Sequence, residues 1–336
     1  MRIYTIGSRF SGVSFHRLFN PVIHMEKDYA LMSDNIDVKE LEKGYDIVFI
    51  NRYIPSTEID QIVKFRDQYG FKLIVDIDDF WHLDPWHILY GRYPTQKVMD
   101  HIKAADMVTC TNEQLYNEIK PINPKVVILP NALPYGQNQF GDHKTESDKV
   151  RFVYAGSVTH EKDIAILKNP MKRVASDKFV KDRSQFILCG YDPESKATLP
   201  TWHRMINDYL CGFKVDGYVR GALPIEEYMN FYNEADVCLV PLVDSKFNNC
   251  KSNLKLLEAA TKNAAVIGSN VLPYKGTKGM IGVNNQAEWF ENIKKVIKFA
   301  TYRKEKGDEL GEYCRQNFEL INVNKARKQI FESVIK

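Results

Sequence analysis

The sequence has no run of about 18 apolar residues, which excludes a hydrophobic helical membrane span. It has six cysteines and no CxxC spacing among them. Cys110, Cys189 and Cys238 fall inside apolar, strand-like runs, so the expected state is a reduced, cytoplasmic protein with buried thiols. There is no internal repeat and no low-complexity segment, and the glycine fingerprint GxGxxG is missing. The net charge of +3 is too small to imply a polyanionic partner, although it leaves room for a local basic patch. The opening MRIYTIGS reads as a first strand and not as a signal peptide, because Gly, Ser and Arg follow its short apolar run at once. What is present is ordinary for a globular chain: 44% hydrophobic and 26% charged residues. At 336 residues the chain is long for one core, and two domains of roughly 150 residues are expected.

The chain is organised around FNNCKSNLKLLEAA, Phe247 to Ala260. An apolar run, Ala235 to Leu242, precedes it and another, Asn263 to Ser269, follows it. This is the strand, loop, helix and strand repeat of a parallel α/β sheet. Ser252 is the expected N-cap, and Lys251, Lys255 and Glu258 then share one face at i, i+4, i+7. Leu254, Leu257 and Thr261 form a second stripe that packs on the sheet. A helix so placed aims its N-terminus, two lysines and free backbone N–H groups at the carboxyl edge, where anions and ligands bind. Glu258 can there accept from a diol such as ribose hydroxyls; the competing reading is a solvated Lys/Lys/Glu face.

In chain order, Arg2 to Gly7 is a strand, and Gly7 and Gly12 bracket a turn before a helix starting near Ser14. That glycine loop lets backbone approach a phosphate or sugar. Arg17 on the helix is read as a surface residue rather than a ligand contact. Further strands are expected at Tyr45 to Tyr53, from Lys72, at Met107 to Thr111 and at Lys125 to Leu133. Helices are expected through Glu58 to Tyr69, Gln96 to Ala105, and NEQLYNEIK. The polar PYGQNQFGDHKTESDK is the linker. The second half restarts with strands Val150 to Ser157 and Ser184 to Asp192, a helix LPIEEYMNFYNEA opened by Pro224, and helices from Asn284 and from Lys304.

The strand from Lys72 ends in Asp76, Asp78, Asp79, His82, Asp84 and His87. Three readings compete. An Asp-x-Asp pair can hold a divalent ion against a diphosphate. His82 or His87 can touch substrate or act as general base. The aspartates can also simply cap turns.

Three segments of the second half resemble, in order, the large retaining family of GT-B glycosyltransferases that use nucleotide sugars. AGSVTHEKD is similar to its phosphate segment, which implies that Lys162 is the phosphate-binding lysine and that Ser157 replaces an arginine. GYVRGALPIEEYMNFYNEADVCLVPL is similar to its nucleobase segment and the strand after it, implying a nucleotide contact for Arg220. KSNLKLLEAATKNAAVIGSN is similar to its final signature, with Glu258 on the ribose-binding glutamate. The family usually has a second glutamate where this chain has Cys250, a departure on the side of the transferred sugar. The first half is similar in outline: the glycine loop at Gly12, DIDDFW, and PNAL.

The resemblance implies an α/β protein of GT-B architecture, two Rossmann-like domains facing across a cleft. Residues 1–148 would form the acceptor domain and 149–310 the donor domain, with 311–336 crossing back to the first. Glycosyl transfer from a UDP- or GDP-sugar to a hydroxyl, with retention, is the implied reaction. Lys162, Lys251, Lys255 and His82 are the implied catalytic residues; Gly12, Ser157, Arg220, Ser252, Asn253, Leu254 and Glu258 line the nucleotide sugar. Lysines and a helix N-terminus stand in for a metal, so no cofactor is expected. The acceptor is a glycan, a small molecule or a hydroxymethylated base of phage DNA. A non-catalytic nucleotide- or sugar-binding protein is the alternative from another class.

Overall fold

In the computed structural model, which describes residues 1–8, 11–25 and 28–336, the chain forms two compact units. The first comprises Met1–Pro134, Lys246–Ser252 and Phe318–Lys336; the second comprises Tyr135–Ser245 and Asn253–Asn317. Arg9 and Phe10, in the loop bracketed by Gly7 and Gly12, lie outside the described residues.

Unit one is built on β1 (Ile3–Ile6), β2 (Tyr29–Met32), β3 (Ile47–Asn51), β4 (Lys72–Ile77), β5 (Met107–Cys110) and β6 (Val126–Ile128). They form one sheet in the order β2-β1-β3-β4-β5-β6, and every pairing is parallel. The inner strands are buried on both faces, as their unbroken apolar runs require. Helix Ile59–Tyr69 covers the sheet with Ile62 and ends at Gly70, whose φ of 74° is the left-handed turn that closes a helix. The last helix, Leu320–Ile335, buries Phe331 in a core cluster with Ile3, Phe49 and Ile74 of this unit.

Unit two repeats the plan with β7 (Val150–Ala155), β8 (Ser184–Tyr191), β9 (Asp216–Gly221), β10 (Val237–Val240), β11 (Ala265–Ser269) and β12 (Ile281–Val283). The order is β12-β11-β10-β7-β8-β9, again all parallel. The α/β architecture expected from the sequence is therefore present in both halves. Strand order reverses next to β7 and β10, the place where open α/β sheets bind ligands.

Several local expectations change. The strands β2 and β12 had no sequence signal, being edge strands of four and three residues too short to show periodicity. The helix expected from Pro224 is a shorter 3-10 stretch, Tyr228–Glu234. There the N–H of Met229 is taken by Gln139, and Phe231 and Tyr232 are buried. Arg17, read as a surface residue, is buried, because the helical segment after Gly12 turns that face inward toward Asp76.

Candidate active site

Helix Leu254–Thr261 starts two residues after the expected cap. Asn253 occupies the N-cap position without a side-chain cap bond. Ser252 does not cap: its hydroxyl accepts from Asn131 Nδ2 at 2.7 Å, and it belongs to unit one. Lys251 also precedes the helix, so the expected single face of Lys251, Lys255 and Glu258 divides. Only Lys255 and Glu258 share the helix, in unit two.

In unit two, β7 ends at Ala155 and continues through Gly156 and Ser157 into two short helical turns, Val158–His160 and Glu161–Ile164. Ser157 caps the first turn, accepting from Thr159 N. Gly156 donates to the carbonyl of Cys189 on the neighbouring strand. Gly190, with φ of 98°, faces it so closely that a Cβ there would lie 2.5 Å from the Gly156 carbonyl. Two bare glycines thus end β7 and β8 side by side, exposing backbone without side chains at the carboxyl edge.

Lys255 reaches this edge and donates to the Ala155 carbonyl, with its ammonium 5.8 Å from the Tyr154 ring centroid. One turn on, Glu258 is only 2% exposed, and its Oε2 accepts from Tyr232 Oη at 2.6 Å. Burial pushes its carboxyl up to about 7, against the pull of Lys255 and of the Tyr232 hydrogen bond. The solvated-face reading of Glu258 is thereby excluded. Arg220, at the end of β9, is paired with Glu234 at 2.6 Å, and Glu234 also accepts from Tyr218. Lys162 is exposed on the turn Glu161–Ile164 and has no ion pair among the described residues. Its neighbour Asp163 is buried and accepts from the N–H of Val243, tying β7's loop to the loop after β10.

In unit one, the aspartates each find a cation. Asp76 takes two bonds from Arg17, at 2.9 and 2.6 Å, and one from Thr109 at 2.6 Å. Asp78 is held bidentately by Arg52, both bonds 2.7 Å, and this guanidinium keeps its carboxyl below the usual range despite burial. Asp79 accepts from Arg52 at 3.0 Å and lies 3.6 Å from Lys251 Nζ. Asp76, Asp78 and Asp79 are thus all engaged in ion pairs. Gly12 opens a short helical turn capped by Ser11, beside a cavity of about 190 Å³. Ser8, Ser11, Ser14, Asp34 and Asn51 line that cavity. His82 is exposed and lines a different cavity of about 400 Å³ with Leu83, Tyr90 and Tyr93. His87 accepts from the N–H of Leu89 and stacks edge-on to Phe247.

The segment Lys246–Ser252 is anchored in unit one at several points. Asn112 Nδ2 donates to the carbonyls of Cys250 and Lys251 at 2.9 and 3.2 Å, and Lys246 pairs with Glu118. Phe247 and Cys250 are members of that unit's core cluster. Burial pushes the Cys250 thiol up to about 12, so it is a neutral apolar filler there. Cys250→Ala is accordingly expected to lower stability by about 1 kcal/mol while leaving nucleotide affinity unchanged. Denaturant melts and a nucleotide titration check this, and lost turnover with intact folding and binding would contradict it.

Sequence reasoning passed over Tyr232, Asn112, Asn131 and Arg52. Tyr232 and Asn131 stand in stretches that it quoted, YNEAD and PNAL, but the partners that give them meaning are distant in sequence.

Unit two thus brings bare glycines, a lysine and a buried carboxylate to one edge of its parallel sheet. Residues 149–298 match the family model described as Glycosyl transferases group 1. No curated protein matches the chain by sequence. Among solved structures, sucrose-phosphate synthase from Thermosynechococcus elongatus is 12% identical with a TM-score of 0.72, covering 99% of each chain. The Anabaena protein HepE in complex with UDP is 11% identical with a TM-score of 0.67, covering 99% of this chain and 100% of that one. A UDP-forming α,α-trehalose-phosphate synthase from Burkholderia xenovorans is 11% identical, TM-score 0.67, covering 100% of this chain and 99% of that one. At these identities the structural likeness is one of fold, and the fold is GT-B. The protein is a glycosyltransferase, and its residues 149–298 are a glycosyl transferases group 1 domain.

Proposed function

We propose that the protein transfers a sugar from a nucleotide sugar to a hydroxyl acceptor, with retention and without a metal ion. The observation that carries this reading is the edge of unit two. There Lys255 reaches the last carbonyl of β7, beside the bare backbone of Gly156 and Gly190. On the same helix Glu258 is fixed by Tyr232 as an acceptor for a ribose diol. The diphosphate lies at the uncapped N-terminus of helix Leu254–Thr261, near Asn253 and Leu254, with Lys255 and Lys162 offsetting its charge. Arg220, at the end of β9, is assigned to the base. A uridine nucleotide is favoured because solved GT-B proteins of similar fold include HepE complexes with UDP and UDP-glucose.

Unit one is assigned to the acceptor. The hydroxyl and amide groups of Ser8, Ser11, Ser14 and Asn51 around the small cavity beside Gly12 suit a polyhydroxylated molecule. Six free cysteines, five of them buried, agree with a reducing cytoplasmic setting. Among the described residues no helix is long and apolar enough to cross a membrane.

UDP and UDP-sugars are expected to raise the melting temperature, since a ligand that binds only the folded state stabilises it by mass action. Slow hydrolysis of the donor without acceptor is expected to persist in EDTA. Failure of every nucleotide to shift the melt would end the donor reading. Loss of hydrolysis on chelation, restored by magnesium or manganese, would end the metal-free mechanism alone.

A further inference from the structure

A second cavity in unit two, of about 420 Å³, has no part in the reading above. It is lined by Lys168 and Lys172 of helix Lys168–Ser176, by Asn207 and Asp208, and by Cys211 and Lys214. Lys214 lies two residues before β9 starts at Asp216, so the cavity lies toward the amino edge of the sheet. Ser157 and Lys255 stand at the carboxyl edge, beyond the end of β7. The two places are therefore at opposite ends of the strands.

Three lysines and one aspartate line this cavity. Lys168 and Lys172 are one helical turn apart on the same face, where like charges repel. Among the described residues none of the three lysines is in an ion pair, although nearby Lys178 and Lys294 both are. All three pull the Cys211 thiol toward ionisation while burial, the larger effect, pushes it the other way. They line the same cavity as that thiol. The backbone that presents Cys211 is unusual. Cys211, Gly212 and Phe213 have φ of 53°, 54° and 48°, a left-handed run that residues with a Cβ avoid. Phe213 holds the turn by packing against Gly217, where a Cβ would lie 2.4 Å from its ring. Strained backbone of this kind collects where a site is built.

We propose that this cavity is a second ligand site, which takes a small molecule bearing a phosphate group. Two surplus positive charges match a phosphate dianion, and the amide of Asn207 supplies a neutral donor. The volume is at the lower end of small-molecule pockets and larger than phosphate alone needs, which favours a phosphate monoester over free phosphate. A concave site of this size does not suit a duplex or a membrane surface.

Cys211 is its own reporter, since the other five cysteines are buried. Alkylation of Cys211 by iodoacetamide, followed by peptide mass, is to be measured with glycerol phosphate or inorganic phosphate against chloride at equal ionic strength. Phosphate at about ten times its Kd is expected to slow the reaction roughly tenfold, following occupancy. The double variant Lys172→Gln, Lys214→Gln is expected to lose that protection while its melting-temperature shift with UDP is unchanged. Line broadening of the phosphorus resonance of either probe by wild type, absent with the variant, is the second measurement and decides where Cys211 does not react. Tighter protection by glycerol phosphate assigns a monoester; tighter protection by inorganic phosphate overturns that assignment. No broadening and no protection by either probe, or equal protection of the variant, overturns the site itself. The UDP shift stands apart from all of these, so failure here leaves the donor reading untouched.

Discussion

Asp76→Asn is expected to destabilise unit one by about 3–5 kcal/mol, the usual cost of stranding a buried charge. Asp76 and Arg17 are 1% and 2% exposed and share two hydrogen bonds. The guanidinium of Arg17 also donates to Asn131 Oδ1 and to the Leu129 carbonyl, so it cannot swing away to water without breaking both. A second guanidinium, Arg327 on the last helix, is equally buried, and its Nε has no hydrogen-bond partner among the described residues. Burial, and then the charge of Arg17, bring Arg327 down to about 9, while Asp76 opposes them. Neutralising Asp76 therefore removes the carboxylate that Arg17 is bonded to and that offsets the charge of Arg327, leaving Asp78, already held by Arg52, as the nearby buried anion. Domain stabilities are typically about 5–15 kcal/mol, so the variant keeps little margin. Arg17→Met alone is expected to cost a similar amount, and the double variant far less than the sum, because each single change strands the other's partner. Denaturant melts of the four proteins test this. A cost for Asp76→Asn below about 1 kcal/mol, or additive single effects, would show that the pair is not the anchor of this core.

That role for Asp76 was not legible in the sequence. DIDDFWH reads locally as a carboxylate cluster at a strand end, and the strand end is real. What decides the chemistry is Arg17, 59 residues away, brought over by the pairing of β1, β3 and β4. The expectation that Arg17 faces solvent failed for the same reason, since spacing says which residues share a face but not what that face meets. The repeated strand and helix plan was legible because the inner parallel strands are buried on both faces and so read as unbroken apolar runs. The edges β2 and β12 lack that signature.

The signature stretch shows the same division. Leu256, Leu257, Ala259 and Ala260 are buried, and the helix they form was legible from its apolar density. Its starting point was not. An ideal helix extended back to Lys251 puts two lysines and a glutamate in register. In the structure Asn112 takes the carbonyls of Cys250 and Lys251, from 138 and 139 residues away, and the helix begins only at Leu254. Side-chain amides competing for backbone groups set that boundary. Cys250, in the same segment, is a core residue for the same reason.

The other large effect is at Glu258. Replacing it by Gln is expected to weaken UDP binding by roughly one to two decades, the worth of about 1.5–3 kcal/mol of charge-assisted hydrogen bonding to a diol. The pH dependence makes the assignment specific. In the free protein burial raises the carboxyl to about 7 from an ordinary 4.5. Because the folded value is the higher one, the contribution of Glu258 to stability is whole below the unfolded carboxylate range. It falls as pH rises from there to about 7, where the buried carboxylate has become charged. Binding runs the other way. Ribose hydroxyls donate to the ionised form, so UDP affinity is expected to strengthen as pH rises through about 7, with a proton released on binding below that point. Glu258→Gln removes the slope as well as the affinity. Tyr232→Phe separates the carboxylate from its support: the Tyr232 hydrogen bond favours the charged form, so losing it pushes the carboxyl further up. The affinity profile of that variant is expected to move to higher pH while retaining its slope. Calorimetric titrations of UDP into the three proteins on both sides of neutrality measure all of this. A pH-independent wild-type affinity, or a Glu258→Gln variant that binds UDP as well as wild type does, would remove Glu258 from the nucleotide site. It would then be a buried carboxylic acid that serves only to hold Tyr232.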